Sequence, residues 1–205
     1  MTGPAAGRFP GFDVLTEVPH WDAVTADAVI RRTGPYDGPK FFTETEQACA
    51  AALLDQLTGQ CDEDLGVPAA QMVDARLAAG ETDGWRYADL PEDGQAWRDT
   101  LGYLDKDAHA RYGTGFADAS RPQQSDIIQA VQDGDQWHGL PAARVWSLWT
   151  RYACTAFYSH PSAWSELGFP GPAYPRGYKN PGVGKREPFE VADTRPAEDP
   201  VGDDA

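Results

Sequence analysis

The sequence predicts an all-α fold: an irregular helical bundle with an extended N-terminal arm and a Pro/Gly/aromatic C-terminal strap. Three observations carry this. Apolar residues recur at intervals of three and four in several separate segments. Those segments open at N-cap spacings and close at glycines. Few stretches alternate with the period of two that a half-buried strand needs. With 205 residues, 41% of them hydrophobic, the chain also has the material for a core, enough to bury about 70% of its unfolded surface.

The first 42 residues mix aromatic and turn residues, as in Phe9-Pro10-Gly11-Phe12. Most of this arm reads as an extended segment that lays Phe12, Leu15 and Trp21 on another surface, with a short helix near Asp22–Arg32. Thr43 and Glu46 have the spacing of a reciprocal cap, and Ala50, Leu53, Leu54 and Leu57 form one helical face ending near Gly59. A second helix follows Pro68 through Met72, Val73 and Leu77 to Gly80, and an acidic loop then carries Trp85 and Tyr87. Trp97, Leu101, Leu104 and Ala108 form one stripe that stops at Gly113. Ser120 and Gln123 cap a helix carrying Ile127, Ile128 and Val131, closed by Gly134. From Pro141 to Tyr158 the apolar and aromatic residues wrap most of the helix, with Trp146, Trp149 and Tyr152 among them, so this helix is central or buried against a partner. These breaks divide the chain into the arm (1–42, partly extended), a helical domain (43–180) and an acidic tail (181–205) expected to be disordered.

Thirty-two acidic against 17 basic side chains give a net charge of −15. That balance argues against autonomous binding of nucleic acid or anionic lipid, both of which need a basic surface. The cysteines are Cys49, Cys61 and Cys154, an odd count with no C-x-x-C pair, which excludes a four-sulfur site within this chain. Met1–Pro19 lacks a basic region followed by an apolar run, and Arg31-Arg32 is followed by polar residues. The expected compartment is the cytoplasm, with the periplasm reached only on a partner's export signal.

Candidate chemistry within the chain is sparse. His20, His109, His138 and His160 show no paired spacing, and His109 is expected at a helix edge. An independent metal-dependent enzyme would have to assemble His138, Cys154 and His160 from separate segments. Cys154 reads as a small buried hydrophobe on its aromatic helix. Gly113-Thr114-Gly115 follows a helix and has Asp118 where a dinucleotide loop needs glycine. Asp62-Glu63-Asp64 and Glu92-Asp93 read as solvated acids. No catalytic residue and no metal ligand is assigned.

The most informative stretch is 156–178. Ser159 or His160 can cap a short helix with Pro161 in its first turn and Gly168 at its end. The prolines beyond preset an extended path suited to lying across another surface. Trp164, Phe169, Tyr174 and Tyr178 supply amphipathic area, and Arg176 adds a fork for carboxylate or carbonyl groups. Such a strap can pack on its own bundle and still present one edge. From Pro170 to Arg186 it is basic, with Arg176, Lys179, Lys185 and Arg186 and no acid.

This stretch resembles the small third subunit, or gamma chain, of the gluconate 2-dehydrogenase family. The residues that carry the resemblance are Tyr158-Ser159-His160-Pro161 with Trp164, then Gly168-Phe169-Pro170-Gly171-Pro172-Ala173-Tyr174-Pro175-Arg176-Gly177-Tyr178. Phe41-Phe42 and Gly66-Val67-Pro68 lend upstream support, as does Trp137 before the aromatic helix. The resemblance covers roughly residues 40–180.

It implies a non-catalytic subunit that binds, matures and stabilises a large FAD-dependent dehydrogenase of the glucose-methanol-choline type, which oxidises a sugar, glycoside or sugar acid. It further implies FAD in the partner and none in this chain, with a cytochrome c or other acceptor taking the electrons. The expected partner-binding residues are Trp146, Trp149, Tyr158, His160, Trp164, Phe169, Tyr174, Arg176 and Tyr178. The alternatives are the metal-dependent enzyme above and a helical binding module for an unrelated protein.

Overall fold

A computed structural model describes residues 8–60 and 66–197. Cys61, the acidic run Asp62-Glu63-Asp64 and the last eight residues of the tail lie outside the described residues. The chain is mostly helical and divides into two compact units, one spanning 35–157 and one joining 1–34 to 158–205. Among the described residues no helix is long and apolar enough to cross a membrane.

The bundle unit begins with α2 (Glu44–Thr58), where Thr43 and Glu46 form the expected capping box and Gly59 ends the helix in a left-handed conformation. α3 (Ala69–Ala78) lies against it. Asp74 of α3 is 3% exposed, and its carboxylate accepts the backbone N–H groups of Lys40, Phe41 and Phe42 at 2.7, 2.9 and 2.8 Å. That one side chain therefore fixes the entry into α2. α4 (Asp93–Tyr112) buries Trp97, Leu101, Leu104 and Ala108 as the stripe predicts, and Gly113 closes it. α5 (Arg121–Asp133) carries the Ser120–Gln123 capping box. Its buried Gln124 donates to the carbonyls of Phe116 and Ala119, both at 3.0 Å, so a polar side chain inside the unit satisfies loop backbone.

Two short antiparallel strands, β1 (Gln136–Trp137) and β2 (Leu140–Pro141), precede α6 (Ala142–Ser159). Helix periodicity gives no sign of this hairpin. Its turn is His138-Gly139, and both residues have positive φ, 49° and 82°, the requirement of a two-residue hairpin turn. α6 buries Val145, Leu148, Trp149, Tyr152, Ala153 and Ala156 and leaves Cys154 exposed, which corrects its expected burial. The polar tips of its two buried aromatics are satisfied by α4. Trp149 Nε1 donates to Thr100 Oγ1 at 3.1 Å, and the Tyr152 hydroxyl donates to Asp93 at 2.8 Å. Trp97 packs edge-on to Tyr152 at 5.6 Å, and Trp137 edge-on to Trp149 at 5.4 Å.

The terminal unit contains α1 (Ala23–Ile30), the short helix expected near Asp22–Arg32, and departs from the expected extended path at residues 14–20, which form a 3-10 helix. Asp13 and Asp22 explain both, since each side chain accepts a backbone N–H of the helix it opens, from Leu15 and Thr25. α7 (Pro161–Leu167) completes the unit's helices.

Candidate functional site

The conspicuous motif in this chain, Gly168-Phe169-Pro170-Gly171, lies in the terminal unit, where its glycines have steric roles. Gly168 ends α7 at φ 66°, and a Cβ there would lie 2.5 Å from the ring of Phe9. Gly171 has φ 75°, and a Cβ there would lie 2.3 Å from the ring of Trp21. Both positions combine a left-handed backbone with an aromatic ring seated on the α-carbon, so a side chain is excluded twice over. The motif is thus the seat on which the N-terminal segment rests.

The rings are held from both sides. Val14, Trp21, Val29 and Trp164 form a buried cluster, with Phe12, Val18 and Ala26 packed against it. Trp164 Nε1 donates to the Tyr158 carbonyl at 2.6 Å, and Phe169 packs edge-on to the same indole at 5.3 Å. Ser165 Oγ accepts the Val14 N–H at 3.1 Å. Arg32 donates to the Ser159 carbonyl at 3.1 Å, where a helix C-terminus welcomes a cation, and its guanidinium lies 5.5 Å from the Trp164 ring. His160 caps α7 by accepting the Ser162 N–H on Nδ1 at 3.2 Å. Burial holds its pKa below the ordinary histidine value, which favours the neutral ring that such an acceptor requires.

Beyond Gly171 the strap is tied to the N-terminal segment by charge. Arg176 Nη1 pairs with Glu17, and its guanidinium stacks 3.9 Å from the Phe189 ring centre. The Glu187 carboxylate accepts the backbone N–H groups of Asn180 and Lys179 and the Asn180 side chain, and these bonds hold its pKa below the usual carboxylate range. Arg8 pairs with Asp193 at 2.6 Å.

The structure separates the expected partner-binding residues into three groups. Trp149 is fully buried in the bundle and presents no surface, and Trp146 is half-buried on the same helix. His160 and Trp164 are buried at 5% and 7% exposure and build the terminal unit, while Arg176 is largely covered by its pairing with Glu17 and Phe189. Tyr158, Phe169, Tyr174 and Tyr178 are exposed, Tyr174 at 65%. Sequence reasoning missed the exposed apolar side chains Val24, Ile30, Leu167 and Val183. For α1 a signal existed, because Val24 and Ile30 are apolar positions that cannot share the face of Val29. With Leu15, these four and the four exposed strap residues belong to the terminal unit, whereas Trp85 is the one exposed large hydrophobic side chain in the bundle unit among the described residues.

The alternative metal centre is not assembled. Among the described residues no group of three or more His, Cys, Asp or Glu side chains could hold an ion. His138 lies 2.8 Å from Asp107 through Nε2 and stacks on Tyr103 at 4.4 Å, and Trp137 Nε1 donates to the other Asp107 oxygen at 2.8 Å. Those bonds fix the hairpin. Burial, with Asp105 and Glu46 nearby, pushes the Cys49 thiol up to about 12, so it is no nucleophile at neutral pH.

No curated protein and no solved structure matches the chain. The model of the family described as gluconate 2-dehydrogenase subunit 3 matches residues 44–171, more than half of the sequence. The match opens at the first residue of α2, runs through the bundle and α7, and ends on Gly171, the glycine that seats Trp21. On that coverage, the chain belongs to the gluconate 2-dehydrogenase subunit 3 family.

Proposed function

We propose that this chain is the non-catalytic small subunit that binds, matures and stabilises a large FAD-dependent dehydrogenase oxidising a sugar, glycoside or sugar acid, and that the terminal unit carries the contact. Membership in a family of dehydrogenase subunits implies partner subunits. The observation that carries the rest is the uneven distribution of exposed apolar side chains, nearly all of which fall on the terminal unit. Exposed aromatics of this kind are typical interface anchors, and permanent interfaces are apolar at their centre.

The flavin belongs to the partner on this reading. The nearest glycine-rich loop here, Gly113-Thr114-Gly115, terminates α4, and the Asp105 carboxylate lies where a Gly115 side chain would stand, 2.8 Å from its Cβ position. An acid at that position repels a pyrophosphate. A cytochrome c or other acceptor would complete the electron path outside this chain.

The test is co-expression with the flavoprotein, capture on a tag carried by this chain, and a visible spectrum of the eluate. Wild type is expected to bring down flavin absorbance. Tyr174→Asp combined with Tyr178→Asp should lose it, while Trp85→Asp, on the exposed aromatic of the bundle unit, should retain it. Equal retention by both variants would show that the terminal unit is not the contact. No flavin with wild type would refute the reading as a whole.

A further inference from the structure

Between α3 and α4 the bundle unit contains a stretch that its main chain does not hold. Residues 81–86 are all exposed, and segment 82–86 makes no main-chain to main-chain hydrogen bond. Both flanks are anchored. The Glu81 N–H donates to the Arg76 carbonyl in the last turn of α3 at 3.1 Å; on the other side the Tyr87 ring lies 4.0 Å from the Arg144 guanidinium, and Leu90 is buried. Two side chains hold the middle. Asp83 pairs through one carboxylate oxygen with Arg76 of α3 and through the other with Arg151 of α6. Trp85 stacks on the same Arg151 guanidinium at 4.8 Å.

The arginines have supports of their own. Arg76 and Arg151 lie over the Tyr152 ring at 4.7 and 5.2 Å, and Arg151 also pairs with Asp93 at 3.3 Å. Asp83 can therefore withdraw while the frame that binds it stays in place. Closure is also imperfect, because Arg151 Nε is shielded from water and has no hydrogen-bond partner. Lifting Trp85 off that guanidinium gives it water. The same stretch forms one wall of a cleft of about 510 Å³, which Thr82, Gly84 and Trp85 line together with Gly94 and the half-buried Phe41 and Leu77. That volume suits a small ligand. We propose that segment 82–86 is a flap latched by Asp83 between Arg76 and Arg151, and that releasing the latch opens Phe41 and Leu77 to molecules from solution.

The experiment uses NMR on the full chain alone, so its outcome does not depend on any partner. Backbone order parameters at Gly84 and Trp85 are expected at about 0.85 in wild type, as in rigid backbone, and below about 0.6 in Asp83→Asn. Leu101 and Leu104 on α4 should stay rigid in both, which shows that the bundle is intact. A soluble paramagnetic probe should broaden the Leu77 methyl resonances several-fold more in Asp83→Asn than in wild type. Asp89→Asn removes the exposed pair with Arg144 outside the latch and should leave both readings at their wild-type values. Three results overturn the proposal. Gly84 and Trp85 as ordered in Asp83→Asn as in wild type would mean that Asp83 is no latch. Unchanged probe access at Leu77 would mean that the segment covers nothing. Loosening of α4 together with the segment would make Asp83 a general support of the bundle.

Discussion

Gly171→Ala should open the terminal unit, and Gly177→Ala supplies its own control. Both glycines have left-handed φ, 75° and 68°. Each alanine therefore meets the same backbone strain, about 1–2 kcal/mol, offset by about 0.4–1 kcal/mol from a stiffer unfolded chain. The two sites differ in what the new methyl group meets. At Gly177 nothing lies within 4 Å, whereas at Gly171 the methyl carbon would stand 2.3 Å from Trp21 Cζ2. Trp21 is 7% exposed and packed with Val14, Val29 and Trp164, so the ring cannot simply swing aside. Overpacking of this kind costs about 1–3 kcal/mol, and that cost is the expected difference between the variants. Hydrogen exchange at the Phe169 amide, which donates to the Trp164 carbonyl at 2.9 Å, reads it directly. Gly171→Ala should exchange there about 5- to 150-fold faster than Gly177→Ala. Equal rates in the two variants would refute the idea that Gly171 is required as a seat for Trp21.

Three further outcomes follow from the geometry. Asp74→Ala strands the N–H groups of Lys40, Phe41 and Phe42 and should lower stability by about 3–5 kcal/mol; a urea midpoint that barely moves would contradict the role given to this carboxylate. The Glu187 pKa is depressed by N–H bonds from Asn180 and Lys179, so its stabilisation of the 179–190 loop is fully present above the ordinary glutamate pKa and is lost as pH falls through the depressed value. Loop-amide protection in wild type should therefore collapse in that acid range, while Glu187→Gln should show weak protection already at neutral pH. In a Cys61→Ser background, a thiol reagent at neutral pH should label exposed Cys154 at once and buried Cys49 only after unfolding.

Local chemistry made the bundle readable. The boxes at Thr43–Glu46 and Ser120–Gln123, the stripe on α4 and the glycine stops at Gly59, Gly113 and Gly168 involve residues close in sequence, and each is written in a few letters. The terminal unit was less legible because its partners are far apart. Trp21 on Gly171 and Glu17 on Arg176 join segments about 150 residues distant, and nothing local in either segment names the other. Asp22 opens the helix expected near Asp22–Arg32, whereas the cap at Asp13 is masked by neighbouring prolines and aromatics that argue for an extended path. The aromatic helix showed a different limit. Trp146 and Trp149 have the same composition signal, yet only the contact between Trp149 and Thr100 decides which of the two disappears into the core. His138-Gly139 was a legible hairpin signal that helix periodicity overshadowed.

The closure of the terminal unit by two segments far apart in the sequence has a consequence for biosynthesis. Its part up to Gly34 leaves the ribosome before the strap from Tyr158 onward. At about 5–20 residues per second the first part waits on the order of ten seconds for the second. A nascent or prematurely terminated chain therefore displays Trp21 without the glycine that seats it. The assembled surface therefore exists only once the strap has been made and has closed on the earlier segment.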